Sequence, residues 1–223
     1  MREDAILTKL RETGVVSILR GIPAKNMAAT VDALYRGGVQ LVEVTFNTPE
    51  AADIIQCLAK SHADKLIVGA GTVLDSETAR IAILAGAQFV LSPSFSAGVL
   101  EMCARYSVLA VPGVMTPTEA VAAWSAGARV VKIFPAGVLG PQYIKQLLGP
   151  LDQLEVMAVG GVNEDNFAGF LQAGASSAGI GGELVSKAAV AAGDYEQIYE
   201  KAKSFTEIFK QIKGGVKGES SSF

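Results

Sequence analysis

Histidine is almost missing from this chain, cysteine and tryptophan are scarce, and each scarcity removes a class of function. The single histidine, His62, cannot furnish the histidine cluster of a catalytic zinc site, and it leaves little room for a Ser-His-Asp hydrolase. It falls at a predicted helix end, where a solvated residue is the ordinary reading, and no metal is expected. The two cysteines, Cys57 and Cys103, lie far apart in helical patterns and read as reduced structural thiols of a cytoplasmic protein. No run of about 18 uncharged apolar residues occurs, so no membrane span is expected. Met1 to Lys9 mixes charged with apolar residues and lacks the apolar block of a signal peptide. The formal net charge of -3 comes without a basic stripe, which argues against a nucleic-acid partner. The lone tryptophan, Trp124, sits in a helical segment and reads as core or interface packing.

What the chain does have is a repeat. Short β-rich runs recur at Val15–Arg20, Gln40–Phe46, Leu66–Ala70, Gln88–Ser92, Val108–Pro112, Arg129–Phe134, Glu155–Val159 and Ser177–Ile180. Their spacing, roughly 20 to 25 residues, is that of one βα unit. The segments between them carry helical periodicity, as in Ala24–Arg36 and in Pro49–Lys60 with proline in its first turn. Gly37-Gly38, Ala85-Gly86-Ala87, Ala126-Gly127-Ala128 and Ala173-Gly174-Ala175 supply the left-handed stop that ends a helix before a strand. Eight such units predict an α/β fold, a (β/α)8 TIM barrel over residues 1–214, with a doubly wound open sheet as the structural alternative. Residues 215–223, rich in Gly and Ser and without an apolar period, read as a flexible tail.

In a barrel the chemistry sits at the C-terminal strand ends, and there two charges interrupt apolar runs. The sixth run places Val130, Lys132 and Phe134 on one face. Burial favours a neutral amine, the form that attacks a carbonyl to give an iminium; the alternative is a lysine that snorkels to the rim or pairs with a carboxylate. The second run puts Leu41, Glu43 and Thr45 together, pointing into the barrel or into the helix layer. A carboxylate there needs a partner, so Glu43 is either a proton carrier for Lys132 or its structural ion-pair partner. Arg20 ends the first run and can clamp a carboxylate, or pair with a loop acid. Gly69-Ala70-Gly71-Thr72 offers close backbone and a hydroxyl, although glycine also eases barrel packing. Gly160-Gly161 and Gly181-Gly182 end the seventh and eighth runs, where barrels often bind phosphate, with Asn163 as a helix N-cap; tight turns are the plainer alternative. Glu183, directly after the second pair, opposes a dianion unless it points away.

These strand-end motifs resemble the bacterial 2-dehydro-3-deoxy-phosphogluconate (KDPG) and 4-hydroxy-2-oxoglutarate (KHG) aldolases from about Leu7 to Gly214. The likeness rests on Gly38–Thr45, Val68–Val73, Leu91–Pro93, Val111–Glu119, Val131–Ala136 and Gly160–Val162, in order and at the family's spacing. It implies a (β/α)8 barrel behind a short helix, here Arg2–Thr13, in a homotrimer. It implies a metal-independent class I aldolase, a lyase without cofactor, whose Lys132 forms a Schiff base with pyruvate while Glu43 is general acid and base. Thr72 and Arg20 would meet the pyruvyl carboxylate, Pro93 and Phe134 would shape its pocket, and the glycine pairs would receive the substrate's phosphate. The chain departs from the family at Asn47, where some members have arginine and Arg20 substitutes. It departs again at Ala158-Val159, where many have Pro-Thr, and at Glu183, where many have serine. The last two bear on the aldehyde half of the substrate, so a non-phosphorylated or galactonate-type sugar acid is the alternative. Outside this chemistry stand a phosphosugar isomerase and a non-catalytic 2-oxo-acid-binding barrel.

Overall fold

The computed structural model describes residues 2–219. Helix α1 (Arg2–Thr13) precedes strands β1 (Val15–Leu19), β2 (Leu41–Thr45), β3 (Ile67–Gly71), β4 (Phe89–Leu91), β5 (Leu109–Val111), β6 (Gly113–Val114), β7 (Val131–Ile133), β8 (Val156–Val159) and β9 (Ser177–Ile180). The connecting helices are α2 (Ala24–Arg36), α3 (Ala51–Ser61), α4 (Ser76–Leu84), α5 (Ala97–Arg105), α6 (Pro117–Ser125), α7 (Ala136–Leu148) and α8 (Glu164–Gln172), and α9 (Lys187–Ala192) and α10 (Tyr195–Glu219) close the chain. Neighbouring strands pair in parallel in the order β5-β4-β3-β2-β1-β9-β8-β7-β6. The two ends of that order, β5 and β6, are halves of one strand interrupted at Pro112, so the sheet is a barrel.

The pattern predicts eight strands, and the ninth arises from that interruption. Proline has no N–H to donate to a ladder. Its carbonyl still accepts from the Lys132 N–H at 2.8 Å, which carries the pairing across the break. The expected helix stops hold: Gly38, Gly86, Gly127 and Gly174 all have φ between 92° and 109°, a region closed to most side chains. Helix α3 starts at Ala51 rather than Pro49, because Thr45 to Thr48 form a turn closed by Thr48 N–H to the Thr45 carbonyl. Helix α10 runs through Glu219, past the Gly214 boundary expected from composition; the rest of the expected tail, 220–223, lies outside the described residues.

Hydrophobic burial falls into two concentric shells. The outer one packs strand residues such as Val15, Leu19, Val42, Val44, Val131 and Ile133 against the helices. The inner one fills the barrel with Val16, Ile18, Leu41, Phe89, Leu91, Leu109, Val111, Val130, Met157 and Val159, joined by Ile6, Leu7 and Leu10 of α1. Helix α1 therefore plugs the N-terminal mouth of the barrel, pinned at the rim by Arg11, which forks onto Glu155 at 2.6 to 3.1 Å. Cys103 is buried in the outer shell, its thiol pushed up to about 12 by burial, whereas Cys57 is exposed. His62 is not solvated as expected. It is buried at the C-cap of α3, with Nδ1 2.7 Å from Ser61 Oγ and Nε2 3.6 Å from Asp32.

The plug should be a large part of stability. Leu7 is 1 % exposed, so Leu7→Ala is expected to cost about 2–5 kcal/mol, read as a lowered urea midpoint at unchanged slope.

Candidate active site

Period-two alternation decides which side chains enter the barrel. Leu41 belongs to the inner shell while Val42 and Val44 belong to the outer one, so Glu43 and Thr45 point inward. On β7, Val130 is inner and Val131 and Ile133 are outer, which sends Lys132 and Phe134 inward as well. The apolar layer from Val16, Leu41 and Phe89 lies below them. The upper interior thus receives two ionisable groups above a hydrocarbon floor.

Glu43 is 1 % exposed, and its Oε2 is buried without a hydrogen-bond partner. Burial raises its pKa above the ordinary carboxylate value, opposed by the positive charges of Lys132 and Arg20. Its space is made by a neighbour: a Cβ on Gly71 would fall 1.7 Å from Glu43 Oε1. Gly69 makes room in the same way for the Phe89 ring, which a Cβ would approach to 2.4 Å. These two glycines therefore accommodate protein side chains, and the packing alternative explains them. The sequence signal for this was the glycine at the β3 position opposite Thr45.

Lys132 is 3 % exposed. Burial lowers its pKa, Glu43 raises it and Arg20 lowers it further. Its Nζ lies 5.0 Å from the centre of the Phe134 ring, and the peptide from Phe134 to Pro135 is cis. Arg20 is exposed at the end of β1, yet its charge acts on both buried groups. The three residues thus converge electrostatically although they come from β1, β2 and β7.

Above them opens a cavity of about 330 Å³ at the C-terminal ends of the strands. Its wall follows the strand order β1-β9-β8-β7: Arg20 stands at one end, Lys132 and Phe134 at the other, and Gly160, Gly161, Gly181 and Gly182 lie between them. Val159 and Glu183 are also in its wall, together with Ile18 and Gly179, which sequence reasoning did not single out. Thr72 and Pro93 follow β3 and β4 at the same end of the barrel, but they are not among the lining residues. Thr72 nevertheless holds φ 58°, an unusual backbone for a β-branched residue and a form of strain that clusters at functional sites.

The first glycine pair has a packing role besides lining the cavity. Gly160 and Gly161 have φ of 87° and 74°, a Cβ on Gly160 would meet the Phe134 ring at 2.9 Å, and Gly137 N–H donates to the Gly160 carbonyl at 2.7 Å. Asn163 is the N-cap of α8, accepting from Asp165 and Asn166 N–H groups at 3.1 and 3.0 Å. Among the described residues no group of three or more His, Cys, Asp or Glu gathers as a metal site requires. Adding a methyl beside Glu43 tests how tightly this site is built. Gly71→Ala is expected to cost about 1–3 kcal/mol by overpacking and to displace the carboxylate, seen as a lowered melting temperature together with lost turnover.

Known proteins resemble this chain in sequence and fold. A family model described as KDPG and KHG aldolase matches residues 6–201. The 2-dehydro-3-deoxy-6-phosphogalactonate aldolase of Escherichia coli (strain K12) is 34% identical, over 88% of this chain and 95% of that protein. The 2-dehydro-3-deoxy-phosphogluconate aldolase of Treponema pallidum (strain Nichols) is 37% identical, over 91% and 95%. A crystal structure of KDPG aldolase from Legionella pneumophila, with pyruvate captured as a covalent carbinolamine intermediate, superposes with a TM-score of 0.81 at 25% identity, over 86% of this chain and 94% of that one. With a buried lysine in the cavity wall, a buried glutamate electrostatically coupled to it though not itself in that wall, and relatives of this kind matched over nearly their full length, the chain belongs to the KDPG and KHG aldolase family.

Proposed function

We propose that the protein is a class I aldolase that cleaves a 4-hydroxy-2-oxo acid to pyruvate and an aldehyde, with Lys132 as nucleophile and Glu43 as general acid and base. The observation that carries this is the pairing of a buried, pKa-lowered amine with a buried carboxylate whose Oε2 has no partner. A structural ion pair would satisfy its own lone pairs. An oxygen left without a partner is instead available to a substrate hydroxyl or a reacting water.

The steps follow from these groups. The neutral Lys132 amine attacks the C2 carbonyl, and the carbinolamine loses water as Glu43 supplies the proton. Glu43 then takes the C4 hydroxyl proton as the C3–C4 bond breaks, and its electrons are drawn into the iminium. Aldehyde leaves, the enamine is protonated at C3, and hydrolysis frees pyruvate and Lys132. Arg20 and Thr72 hold the carboxylate, Pro93 and Phe134 bound the pyruvyl group, and Gly160, Gly161, Gly181 and Gly182 face the distal end of the substrate. No cofactor enters this scheme, because the iminium is the electron sink.

The named substrates of the relatives, phosphogluconate- and phosphogalactonate-type 2-oxo acids, are the first to test here. The galactonate type is the second reading, supported by the phosphogalactonate relative. Cavity-facing Val159 and Glu183 favour comparing each substrate with and without its phosphate.

The protein is further proposed to be a cytoplasmic homotrimer. Free cysteines are compatible with a reducing compartment, and no helix among the described residues is long and apolar enough to cross a membrane. Met115, Val121 and Trp124 leave apolar side chains in water around α6, and Leu74, Ile81 and Leu84 do so around α4. Two different faces of this kind suit a head-to-tail ring. Trp124 is 46% exposed, so interface rather than core packing explains it.

Incubation with pyruvate and borohydride should attach a reduced pyruvyl group to Lys132, located by peptide mass spectrometry; an adduct elsewhere, or none, would overturn the assignment. Lys132→Ala should abolish turnover in a folded protein. Since a lysine with a lowered pKa is mostly neutral above that value, kcat/KM should fall as pH drops through it and level off below the ordinary 10.5. A rate still climbing through pH 10.5 would contradict burial as the activating device. Trp124→Glu should reduce the mass seen by light scattering to that of a monomer while leaving the circular dichroism spectrum unchanged.

A further inference from the structure

Arg20 lies one residue beyond β1, where regular pairing stops: the register between β1 and β2 ends with Leu19 opposite Val44. The ladder therefore does not fix the residue that faces the cavity. Two buried hydroxyls do so instead. Thr48, 5 % exposed, accepts a hydrogen bond from Gly21 N–H at 2.8 Å. Thr48 Oγ1 lies 3.1 Å from Thr45 Oγ1, and Thr45, fully buried, donates to the Leu19 carbonyl at 3.4 Å.

Proton direction follows from the two ends. Thr45 spends its hydrogen on Leu19, so Thr48 donates to Thr45, and the chain runs from Gly21 N–H through Thr48 and Thr45 to the Leu19 carbonyl. The peptide group before Arg20 is thereby bound to Thr45 of β2, the strand that carries Glu43, and the one after it to Thr48 in the turn that follows β2. Hydrogen bonds aligned head to tail polarise one another, and breaking one strands a buried N–H or hydroxyl. Gly21 has φ 64°, so the backbone turns sharply after Arg20 and needs such an anchor.

We propose that Thr48 is a positioning residue for the aldol reaction: through Gly21 it holds Arg20 at the distance and angle at which its guanidinium meets the substrate carboxylate. The proposal rests on the reading of Arg20 as the carboxylate clamp. Thr48 touches neither Lys132 nor the reacting carbons, so its effect falls on substrate binding rather than on the covalent steps.

Thr48→Val keeps the side chain's shape and removes the acceptor, and Thr48→Ser keeps the acceptor. The measurement is borohydride trapping of pyruvate on Lys132 across pyruvate concentrations, alongside kcat and KM for cleavage. Thr48→Val should raise the half-saturating pyruvate concentration and KM by about tenfold, with kcat changed less than about twofold, and Thr48→Ser should stay within about twofold of the parent. A loss confined to kcat, an unchanged half-saturation, or a serine variant as impaired as valine would overturn the proposal. Arg20→Ala separates the two layers. If it weakens pyruvate saturation while Thr48→Val does not, only the positioning role falls. If Arg20→Ala leaves saturation unchanged, the clamp falls and the positioning role with it. In the double variant Arg20→Ala with Thr48→Val, the valine should add less than about twofold, because its effect passes through an arginine no longer present.

Discussion

Desolvation of Lys132 and Glu43 is the constraint around which the rest of the structure is arranged. Each charge loses hydration inside the barrel, and each is driven toward its neutral form, the amine downward in pKa and the carboxylate upward. Their mutual attraction opposes both shifts without cancelling them. A surface pair would feel little of this, since water would restore both hydration shells. Under the proposed function, that drive supplies a neutral nucleophile and a carboxyl group able to give or take a proton, and its cost is one buried carboxylate oxygen left without a partner.

The interior below makes that cost tolerable. Ile6, Leu7 and Leu10 of α1 close the N-terminal mouth and join a continuous apolar column through Leu41 and Phe89. The cavity opens at the opposite end, at the C-terminal ends of the strands. The glycines of β3 serve the same division: Gly69 yields its space to Phe89 in the floor, and Gly71 yields its space to Glu43 in the reactive layer. One strand therefore helps set both the hydrophobic base and the position of the Glu43 carboxylate.

The cavity divides chemically in the same manner. Arg20 and Lys132 stand at the two ends of its wall, a cation and a buried amine that under the proposed function suit a 2-oxo acid, and between them the wall is largely backbone from two glycine pairs. Under the proposed function, specificity for the aldehyde rests on the few side chains beside these glycines, such as Val159 and Glu183. That division fits a family whose relatives carry different substrate names. Arg20 stands at the exposed edge of this arrangement, beyond the last ladder pair, and depends for its anchorage on Thr45 of β2 and Thr48 of the turn after it.

Much of this was legible in the chain alone. The repeat of β-rich runs, the glycines that end helices and the alternation around Lys132 all depend on local backbone preference and side-chain period, properties that neighbours in sequence already decide. The barrel followed from them, as did the strand ends carrying Lys132, Glu43 and Arg20. What only the tertiary structure decided were quantities set by residues distant in sequence. Glu43 points inward because Leu41 packs against residues of other strands; His62 is buried because Asp32 and Ser61 surround it. Gly71 is confined by a carboxylate, and the strand beside Lys132 is split at Pro112 yet held by its carbonyl. Thr48 also escaped notice, since nothing near it in sequence tells that its hydroxyl reaches Gly21. Local preference specifies which elements form and which way side chains alternate, but desolvation and close packing depend on every atom brought within a few ångströms, and only the folded chain determines those.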